Sequence, residues 1–213
     1  MLFRSQRLAR PGWTVVDVGA NAGYHSLLAA DLGGEGSQIV AFEPGARMRE
    51  LLRRSLALNA DRSVELVAAA CWDEDAMVSF SVSDDPRNTG LSSTSAQFAD
   101  AGGAAVPGVR LDRWCAERAL RPELVKIDVE GAELHVLRGA EGLLRGAPPA
   151  HIVCELWPAS RAAAVELMSA HGYRAHGIAS DGSLTASPED SQAWVDVCFR
   201  HRSCADPPGI MQT

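Results

Sequence analysis

The stretch VVDVGANAGYHSLLAA (Val15–Ala30) joins an apolar run to a helical run through a turn that contains two glycines. Residues Val15–Val18 are predicted to form a buried strand. The run Tyr24–Leu32, which stops at Gly33-Gly34, is predicted to form a helix. A strand that leads through a glycine turn into a helix is the start of a βαβ unit. This stretch therefore predicts an α/β fold.

The same alternation of apolar runs and helical stretches continues along the chain. Because strands that alternate with helices form right-handed parallel units, we expect a Rossmann-like, mostly parallel seven-stranded sheet. Helices should cover both faces, and an antiparallel C-terminal strand should close the sheet. The further predicted strands are Gln38–Phe42, Val64–Cys71, Leu124–Val129, His151–Leu156, Tyr173–Ile178 and Trp194–Phe199, with a short additional one at Met77–Val82. The further predicted helices are 46–59, Ala132–Leu144 and Ala159–Ala170.

The composition is that of an ordinary globular protein. A chain of 213 residues with 46% hydrophobic and 22% charged residues suits a single domain over 1–213, with its core over about 12–201. A net charge of -7 argues against nucleic acid as a partner, because phosphate binding needs concentrated positive charge. No run approaches the roughly 18 apolar residues of a membrane span, and the five cysteines are dispersed. We therefore expect a cytoplasmic protein without membrane association.

The turn after the first strand is a candidate cofactor loop, because ligands of such sheets bind beyond the carboxyl ends of the strands. Gly19 and Gly23 allow a tight turn and the close approach of a ligand. The following helix offers unpaired N–H groups, which suit a carboxylate or a phosphate. The spacing GxNxG, with Asn21 at its centre, is not the GxGxxG dinucleotide fingerprint. Asp17 adds a negative charge that repels a pyrophosphate and attracts a sulfonium. Together these features favour S-adenosylmethionine.

Acidic residues at the next two strand ends extend this cofactor hypothesis. Glu43, followed by Pro44, ends the second predicted strand, where a carboxylate can accept hydrogen bonds from ribose hydroxyls. The exit of the third strand should border the adenine, with the backbone of Ala70 and Cys71 and the carboxylate of Asp73 at the ring edge. The alternative is a capping aspartate, a glycine turn and a surface glutamate with no ligand.

The segment VKIDVEGAE (Val125–Glu133) places three carboxylates at the fourth strand exit and the start of its helix. Glu133 is most simply explained by the helix dipole, which favours acids at a helix N-terminus. Asp128 ends a core strand beside the first loop, and we predict that it contacts cofactor, acceptor or metal. His25, at the start of the first helix, either lines the cofactor site or packs in a structural role.

The chain resembles the FkbM family of methyltransferases over residues 15–178. The resemblance implies a class I methyltransferase fold, S-adenosylmethionine as methyl donor, and O-methylation of a hydroxyl on a sugar, polyketide or similar metabolite. The matching segments are VVDVGANAGYHSLLAA (Val15–Ala30), VAFEP (Val40–Pro44), LDRW (Leu111–Trp114) and, most specifically, VKIDVEGAELHVLRGA (Val125–Ala140).

The resemblance also assigns residues by position. It implies that Asp128 and Glu130 are the family's acidic pair at the fourth strand, and we take both as candidate catalytic residues. The segment 83–108 departs from the family, and its run Arg87–Ser93 resembles the family's Asn/Gly/Ser insert, so we predict an acceptor-side lid there. The implied cofactor residues are Asp17, Gly19, Asn21 and Gly23 for the methionine end and Glu43 for the ribose.

A hydroxyl acceptor must lose its proton during methyl transfer. A carboxylate can accept it, or a divalent cation can lower the pKa of the hydroxyl. Asp128 and Glu155, at the fourth and fifth strand ends, are candidate ligands for Mg²⁺, which prefers oxygen. Two other classes stay open: an NAD(P)-dependent enzyme, which the absent GxGxxG and the presence of Asp17 count against, and a binding module that has lost its chemistry.

Overall fold

The structure is a computed structural model that describes residues 10–60, 62–82, 92–95, 104–188, 193 and 195–204. Its first half is built from strands and two helices, and its second half alternates helices and strands. The strands are β1 (Thr14–Val18), β2 (Gln38–Phe42), β3 (Glu65–Val67), β4 (Ala70–Cys71), β5 (Met77–Val82), β6 (Ser92–Ser95), β7 (Ala104–Val109), β8 (Leu124–Ile127), β9 (His151–Leu156), β10 (Tyr173–Gly177) and β11 (Val195–His201). The helices are α1 (Tyr24–Gly33), α2 (Ala46–Leu58), α3 (Leu111–Glu117), α4 (Glu133–Gly139), α5 (Glu141–Gly146) and α6 (Pro158–Ala170).

The main sheet has seven strands in the order β10-β11-β9-β8-β1-β2-β3. Its five strands from β9 to β3 run parallel, whereas β11 is antiparallel to both β9 and β10. The predicted mostly parallel α/β sheet with an antiparallel C-terminal strand is confirmed. The chain leaves β1 toward β2 on one side and returns through β8 on the other. This reversal opens a crevice at the carboxyl ends of β1 and β8.

Two apolar layers cover the two faces of the main sheet. In β1, Val16 and Val18 pack with residues of α3 to α6, whereas Val15 packs with Ala29 and Ala30 of α1. Successive side chains of a strand point to opposite faces, and this alternation produces both contacts. It also places Asp17 on the α1 side, beside Ser26 of that helix.

A second sheet of four strands, in the order β4-β7-β5-β6, differs from the prediction. The run Val64–Cys71 was predicted to be one strand, but it divides into β3, which pairs with β2, and β4, which pairs with β7. An apolar run indicates burial and does not identify the partner strand, so this division was not predictable. The segment 83–108 contains β6 and most of β7. Residues 83–91 and 96–103 lie outside the described residues, and the lid stays a prediction.

The predicted helix Ala132–Leu144 is two short helices, α4 and α5, which meet at Ala140. Gly139 lies against the exit of β4, and a Cβ added there would be 1.9 Å from the carbonyl oxygen of Trp72. This contact ties α4, and the loop before it, to the second sheet. Within the described residues, every helix is too short or too polar to cross a membrane.

Candidate active site

A cavity of about 390 Å³ opens at the carboxyl ends of β1, β8 and β9. Its volume lies within the range of small-molecule pockets, about 300–1,000 Å³. It is located where the chain reverses direction across the sheet, which is the position predicted for a ligand. The lining residues are Gly19, Ala20, Asn21, Ala22, Tyr24, His25, Lys126, Asp128, Glu130 and Glu155.

The two glycines of the β1–α1 loop are required by contacts within the protein itself. Gly19 and Gly23 have φ angles of +81° and +89°, in the left-handed region that favours glycine. A Cβ at Gly19 would lie 1.9 Å from the carbonyl oxygen of Asp128, and one at Gly23 would lie 2.0 Å from Cδ1 of Leu52. The sequence indicated a close approach of a ligand, whereas the structure shows a close approach of neighbouring segments.

The start of α1 can hold an anionic group. The helix has no side-chain cap, and its first residues, Tyr24 and His25, line the cavity. N–H groups in the first turn of a helix have no intrahelical partner and bind carboxylates and phosphates well. In the loop before it, the N–H groups of Gly19 and Ala20 donate to the carbonyl of Phe42. The helix start therefore fits the carboxylate of a cofactor better than the loop amides do.

Asp17 is buried and does not line the cavity. Its Oδ2 accepts a hydrogen bond from Oγ of Ser26 at 2.6 Å, and its Oδ1 lies 3.2 Å from Nζ of Lys126. Lys126 also lies 3.5 Å from Oδ2 of Asp128. The negative charge of Asp17 is thus compensated inside the protein, and the residue anchors α1 and Lys126. Its direct contact with a cofactor stays a prediction.

Lys126 is a cavity residue that the sequence analysis missed. Burial lowers the pKa of its ammonium group, but the carboxylates of Asp17 and Asp128 outweigh burial and the net direction is upward. Lys126 therefore stays charged and bridges the two aspartates. Its position opposite Asp17 in the register of β1 and β8 follows from strand pairing, so only a correct pairing of β1 with β8 would have identified it.

Glu43 holds the β1–α1 loop against the end of β2. Its Oε2 accepts the N–H of Asn21 at 2.8 Å, and its Oε1 accepts the N–H of Gly45 at 2.7 Å. Burial raises the pKa of Glu43, and these backbone N–H groups act in the opposite direction. A carboxylate has about four acceptor positions, and these two N–H groups occupy one on each oxygen. Glu43 and Pro44 do not line the cavity, and ribose binding stays a prediction.

The residues predicted at the adenine edge also lie outside the cavity lining. Ala70 and Cys71 are buried in β4. The carboxylate of Asp73 is hydrogen-bonded to Nδ1 of His135 at 2.7 Å, and the ring of Trp72 stacks on His135 with centroids 4.0 Å apart. These contacts join the β4 exit to α4. Adenine binding by this segment stays a prediction.

Three carboxylates face the cavity together. One oxygen of each lies within 4.8 Å of the others, and all three side chains are partly buried: Asp128, Glu130 and Glu155. Burial, followed by the charges of Asp128 and Glu133, raises the pKa of Glu130 to about 7. Burial, followed by the charge of Asp128 and its hydrogen bond, raises the pKa of Glu155 to about 8. Like charges at this distance resist joint ionisation, so Glu130 and Glu155 keep their protons to a higher pH than isolated carboxyl groups do.

His25 is the histidine that lines the cavity. Burial lowers its pKa to about 4, and the charge of Lys126 acts in the same direction. Its ring meets that of Tyr24 edge-on, with centroids 5.6 Å apart. The imidazole is therefore neutral at neutral pH and adds no positive charge to the site.

The cavity divides the predicted site residues into two groups. Most residues at the ends of β8 and β9 and in the β1–α1 loop come together, while Asp17 and Gly23 and the residues at the ends of β2 and β4 stay outside the lining. In the lining are Gly19, Asn21, His25, Asp128, Glu130 and Glu155. Outside it are Asp17, Gly23, Glu43, Pro44, Ala70, Cys71 and Asp73.

The chain matches a known protein family over most of its length. The sequence model of the methyltransferase FkbM domain matches residues 17–175, from Asp17 near the end of β1 to the middle of β10. The chain belongs to the FkbM methyltransferase family. The predicted resemblance is thereby confirmed, and S-adenosylmethionine is the cofactor of this family. Membership counts against the NAD(P)-dependent alternative. None of the curated proteins matches the sequence.

Solved structures show the same fold. An FkbM methyltransferase from Methylobacillus flagellatus KT is 14% identical, with a TM-score of 0.61 over 88% of this chain and 43% of that one. A precorrin-6y C5,15-methyltransferase from Geobacter metallireducens GS-15 is 17% identical, with a TM-score of 0.56 over 93% and 85%. Aeropyrum pernix fibrillarin, solved with natively bound S-adenosyl-L-methionine, is 12% identical, with a TM-score of 0.53 over 90% and 67%.

These neighbours establish the fold and no finer property. The FkbM family member described here spans less than half the length of the FkbM structure it resembles. It has the Rossmann-like fold of class I S-adenosylmethionine-dependent methyltransferases, as predicted.

Proposed function

We propose that this FkbM family member transfers the methyl group of S-adenosylmethionine to a hydroxyl oxygen of a small molecule. The observation that carries the proposal is the cluster of Asp128, Glu130 and Glu155 beside the β1–α1 loop. A general base works best when its pKa is near the operating pH. The pKa values of about 7 for Glu130 and about 8 for Glu155 meet that condition.

The donor end of the site is proposed at the β1–α1 loop. S-adenosylmethionine, when bound, supplies a methyl group activated by its sulfonium. The N–H groups at the start of α1 suit its carboxylate, and Asp128 suits its ammonium group. The neutral imidazole of His25 does not repel the sulfonium. We assign Glu43 to the ribose, and Ala70, Cys71 and Asp73 to the adenine edge.

The acceptor end is proposed at the carboxylate cluster. We assign Asp128 and Glu155 to hydrogen bonds with other polar groups of the acceptor, which orient it, since positioning is the largest contribution to such a transfer. Glu130 takes the hydroxyl proton. The lining charges that the structure describes are three carboxylates and one lysine already paired with two of the protein's aspartates. This pattern disfavours a nucleic-acid substrate, because a phosphate backbone needs unpaired positive charge.

A divalent cation is the second way to relieve repulsion in the cluster. Mg²⁺ prefers hard oxygen ligands, and Asp128 and Glu155, the residues predicted for it, lie together with Glu130. Exhaustive chelation separates the two possibilities. Loss of turnover that Mg²⁺ restores would assign the cluster to a metal, whereas unchanged turnover leaves proton transfer by Glu130.

The test is a methyl-transfer assay with labelled S-adenosylmethionine and a panel of small hydroxyl, amine and thiol acceptors. We expect label on a hydroxyl oxygen. Glu130→Gln should lower kcat by about 10²-fold or more, the range for a lost general base, while Glu117→Gln on the exposed side of α3 should not change it. Cofactor binding without turnover on any acceptor would support a binding module that has lost its chemistry. Transfer to nitrogen or sulfur alone would contradict the proposal.

A further inference from the structure

Glu133 is a fully buried carboxylate beside the active-site cavity. It is the first residue of α4 and has an exposed fraction of 0%. Its Oε1 accepts the N–H of Gly131 at 2.8 Å, and its buried Oε2 has no hydrogen-bond partner among the described residues. The sequence analysis explained Glu133 by the dipole of its own helix. The hydrogen bond instead runs backward, to the loop that precedes α4.

That loop has an unfavourable backbone conformation at the proposed proton acceptor. Glu130 has a φ of +52° and Gly131 a φ of +102°. The left-handed region is sparsely occupied by residues other than glycine, and such a conformation persists only where the surrounding structure holds it. Glu130 therefore needs a restraint from its neighbours to keep this geometry.

Glu133 supplies a restraint directly next to Glu130. Burial raises the pKa of Glu133, while the N–H groups of Gly131, of Glu133 itself and of Val129 act in the opposite direction. Val129 and Gly131 are the residues directly before and after Glu130. The hydrogen bond from Gly131 thus fastens the residue directly after the left-handed Glu130 to this buried carboxylate.

We propose that Glu133 is a positioning residue whose buried carboxylate holds the backbone at Gly131, directly after Glu130, and so keeps the Glu130 side chain in the cavity beside Asp128 and Glu155. This inference rests on the proposed function, because it assigns Glu133 a part in the reaction for which Glu130 accepts the proton. A buried carboxylate contributes little to stability compared with an apolar side chain of similar volume. Its value in this place lies in the loop geometry.

The decisive variants are Glu133→Met, which keeps the volume and removes the acceptor oxygens, and Glu133→Gln, which keeps one acceptor oxygen. Glu141→Met is the matched control, because Glu141 is also the first residue of a helix but pairs with Arg145 at the surface. Each variant is measured for thermal stability, S-adenosylmethionine affinity, kcat on the best hydroxyl acceptor, and amide hydrogen exchange of residues 128–131.

We expect Glu133→Met to fold and bind S-adenosylmethionine, to exchange the amides of residues 128–131 faster, and to lose about 10²-fold in kcat, the effect of a misplaced catalytic group. Glu133→Gln should recover both kcat and amide protection, and Glu141→Met should match the unmodified chain. Recovery by glutamine with unchanged stability is not expected of a residue that serves only the fold.

Two results would overturn the proposal: a Glu133→Met chain with unchanged kcat and unchanged loop exchange, or a folded Glu133→Gln chain that shows both defects. If Glu133→Met does not fold, Glu133→Gln decides alone by the same measures. If no acceptor is methylated, the proposed function fails, but the exchange of residues 128–131 still tests Glu133. Faster exchange in Glu133→Met that glutamine reverses supports positioning, and unchanged exchange contradicts it.

Discussion

The β1–α1 loop and the β8–α4 loop meet where Gly19 packs against the backbone of Asp128. They differ in how far the negative charges beside them are compensated by a positive charge. Just before the first loop, the carboxylate of Asp17 in β1 is neutralised by Lys126, and its oxygens are used within the protein. At the second loop Asp128 shares Lys126 with Asp17, but it also lies beside Glu130 and Glu155, whose carboxylates repel its own. A loop whose polar groups are satisfied is rigid enough to receive a cofactor. Carboxyl groups that lie close together, such as Glu130 and Glu155, have pKa values raised toward neutral, which suits proton transfer.

Removing Lys126 should break this contrast most strongly. Lys126→Met leaves Asp17 buried without its counterion, and we expect the free energy of unfolding to fall by about 3–5 kcal/mol, measured by urea denaturation. The double variant Asp17→Asn/Lys126→Met removes both charges and should recover part of the loss. Full stability in Lys126→Met would show that Asp17 does not depend on Lys126.

The contact between the two loops is tested by Gly19→Ala. The added Cβ would lie 1.9 Å from the Asp128 carbonyl oxygen at a φ of +81°. We expect a loss of about 2–4 kcal/mol in unfolding free energy from backbone strain and overpacking. Gly36→Ala is the control, because Gly36 has a φ of +83° with no neighbouring atom described within 4 Å, so only strain applies. Equal losses in the two variants would mean that the loops do not constrain each other.

The proposed contact of Glu43 with the ribose of S-adenosylmethionine can be tested by substitution. Glu43→Ala should weaken S-adenosylmethionine binding by roughly 1.5–3 kcal/mol, the effect of lost hydrogen bonds to ribose, measured by isothermal titration calorimetry. Because Glu43 also holds the N–H of Asn21, the unfolding free energy must be measured alongside. Glu43→Gln keeps an acceptor for Asn21 and separates the two effects. An unchanged dissociation constant in Glu43→Ala would remove the ribose assignment.

The carboxyl groups of Glu130 and Glu155 should make the free energy of unfolding depend on pH. This is the smallest of the expected effects. The pKa values of Glu130 and Glu155 are raised to about 7 and about 8 from the usual 4.5. Between pH 4.5 and about pH 8 the folded chain therefore binds more protons than the unfolded chain. The free energy of unfolding falls as the pH rises through this window. Partial exposure keeps the effect small. Thermal denaturation across the window should show a slope that Glu130→Gln/Glu155→Gln flattens; an equal slope in that variant would contradict the shifts.

The main sheet could be predicted because buried parallel strands are continuous apolar runs, and the helices between them have their own periodicity. The second sheet could not. Its strand β4 continues the apolar run of β3, and the division depends on β7, whose residues Ala104–Val109 show no clear alternation. The break between α4 and α5 likewise lies beside the contact of Gly139 with Trp72. These two residues are far apart in the chain, so no local sequence pattern indicates the contact.

The position of the candidate site in the fold was predicted, whereas the contacts of its residues were predicted only in part. Asp128, Glu130 and Glu155 come together because they lie at or just beyond the carboxyl ends of neighbouring parallel strands. Asp17 was expected to face a cofactor, but its partner Lys126 is 109 residues away in the chain, and only the pairing of β1 with β8 joins them. Glu133 was expected to serve its helix, whereas its carboxylate turns back to the preceding loop.

The amino-acid sequence by itself determined the family, the main sheet and the end of the sheet where the cavity lies. These follow from local patterns: apolar runs, glycine turns and acids at strand exits. Only the tertiary structure decided which carboxylates are neutralised and which repel one another. That depends on burial and on distances between residues far apart in the chain, and a charge changes its behaviour with both. Asp17 and Glu130 are both acids after apolar runs, yet one has a lysine beside it and the other has two more carboxylates.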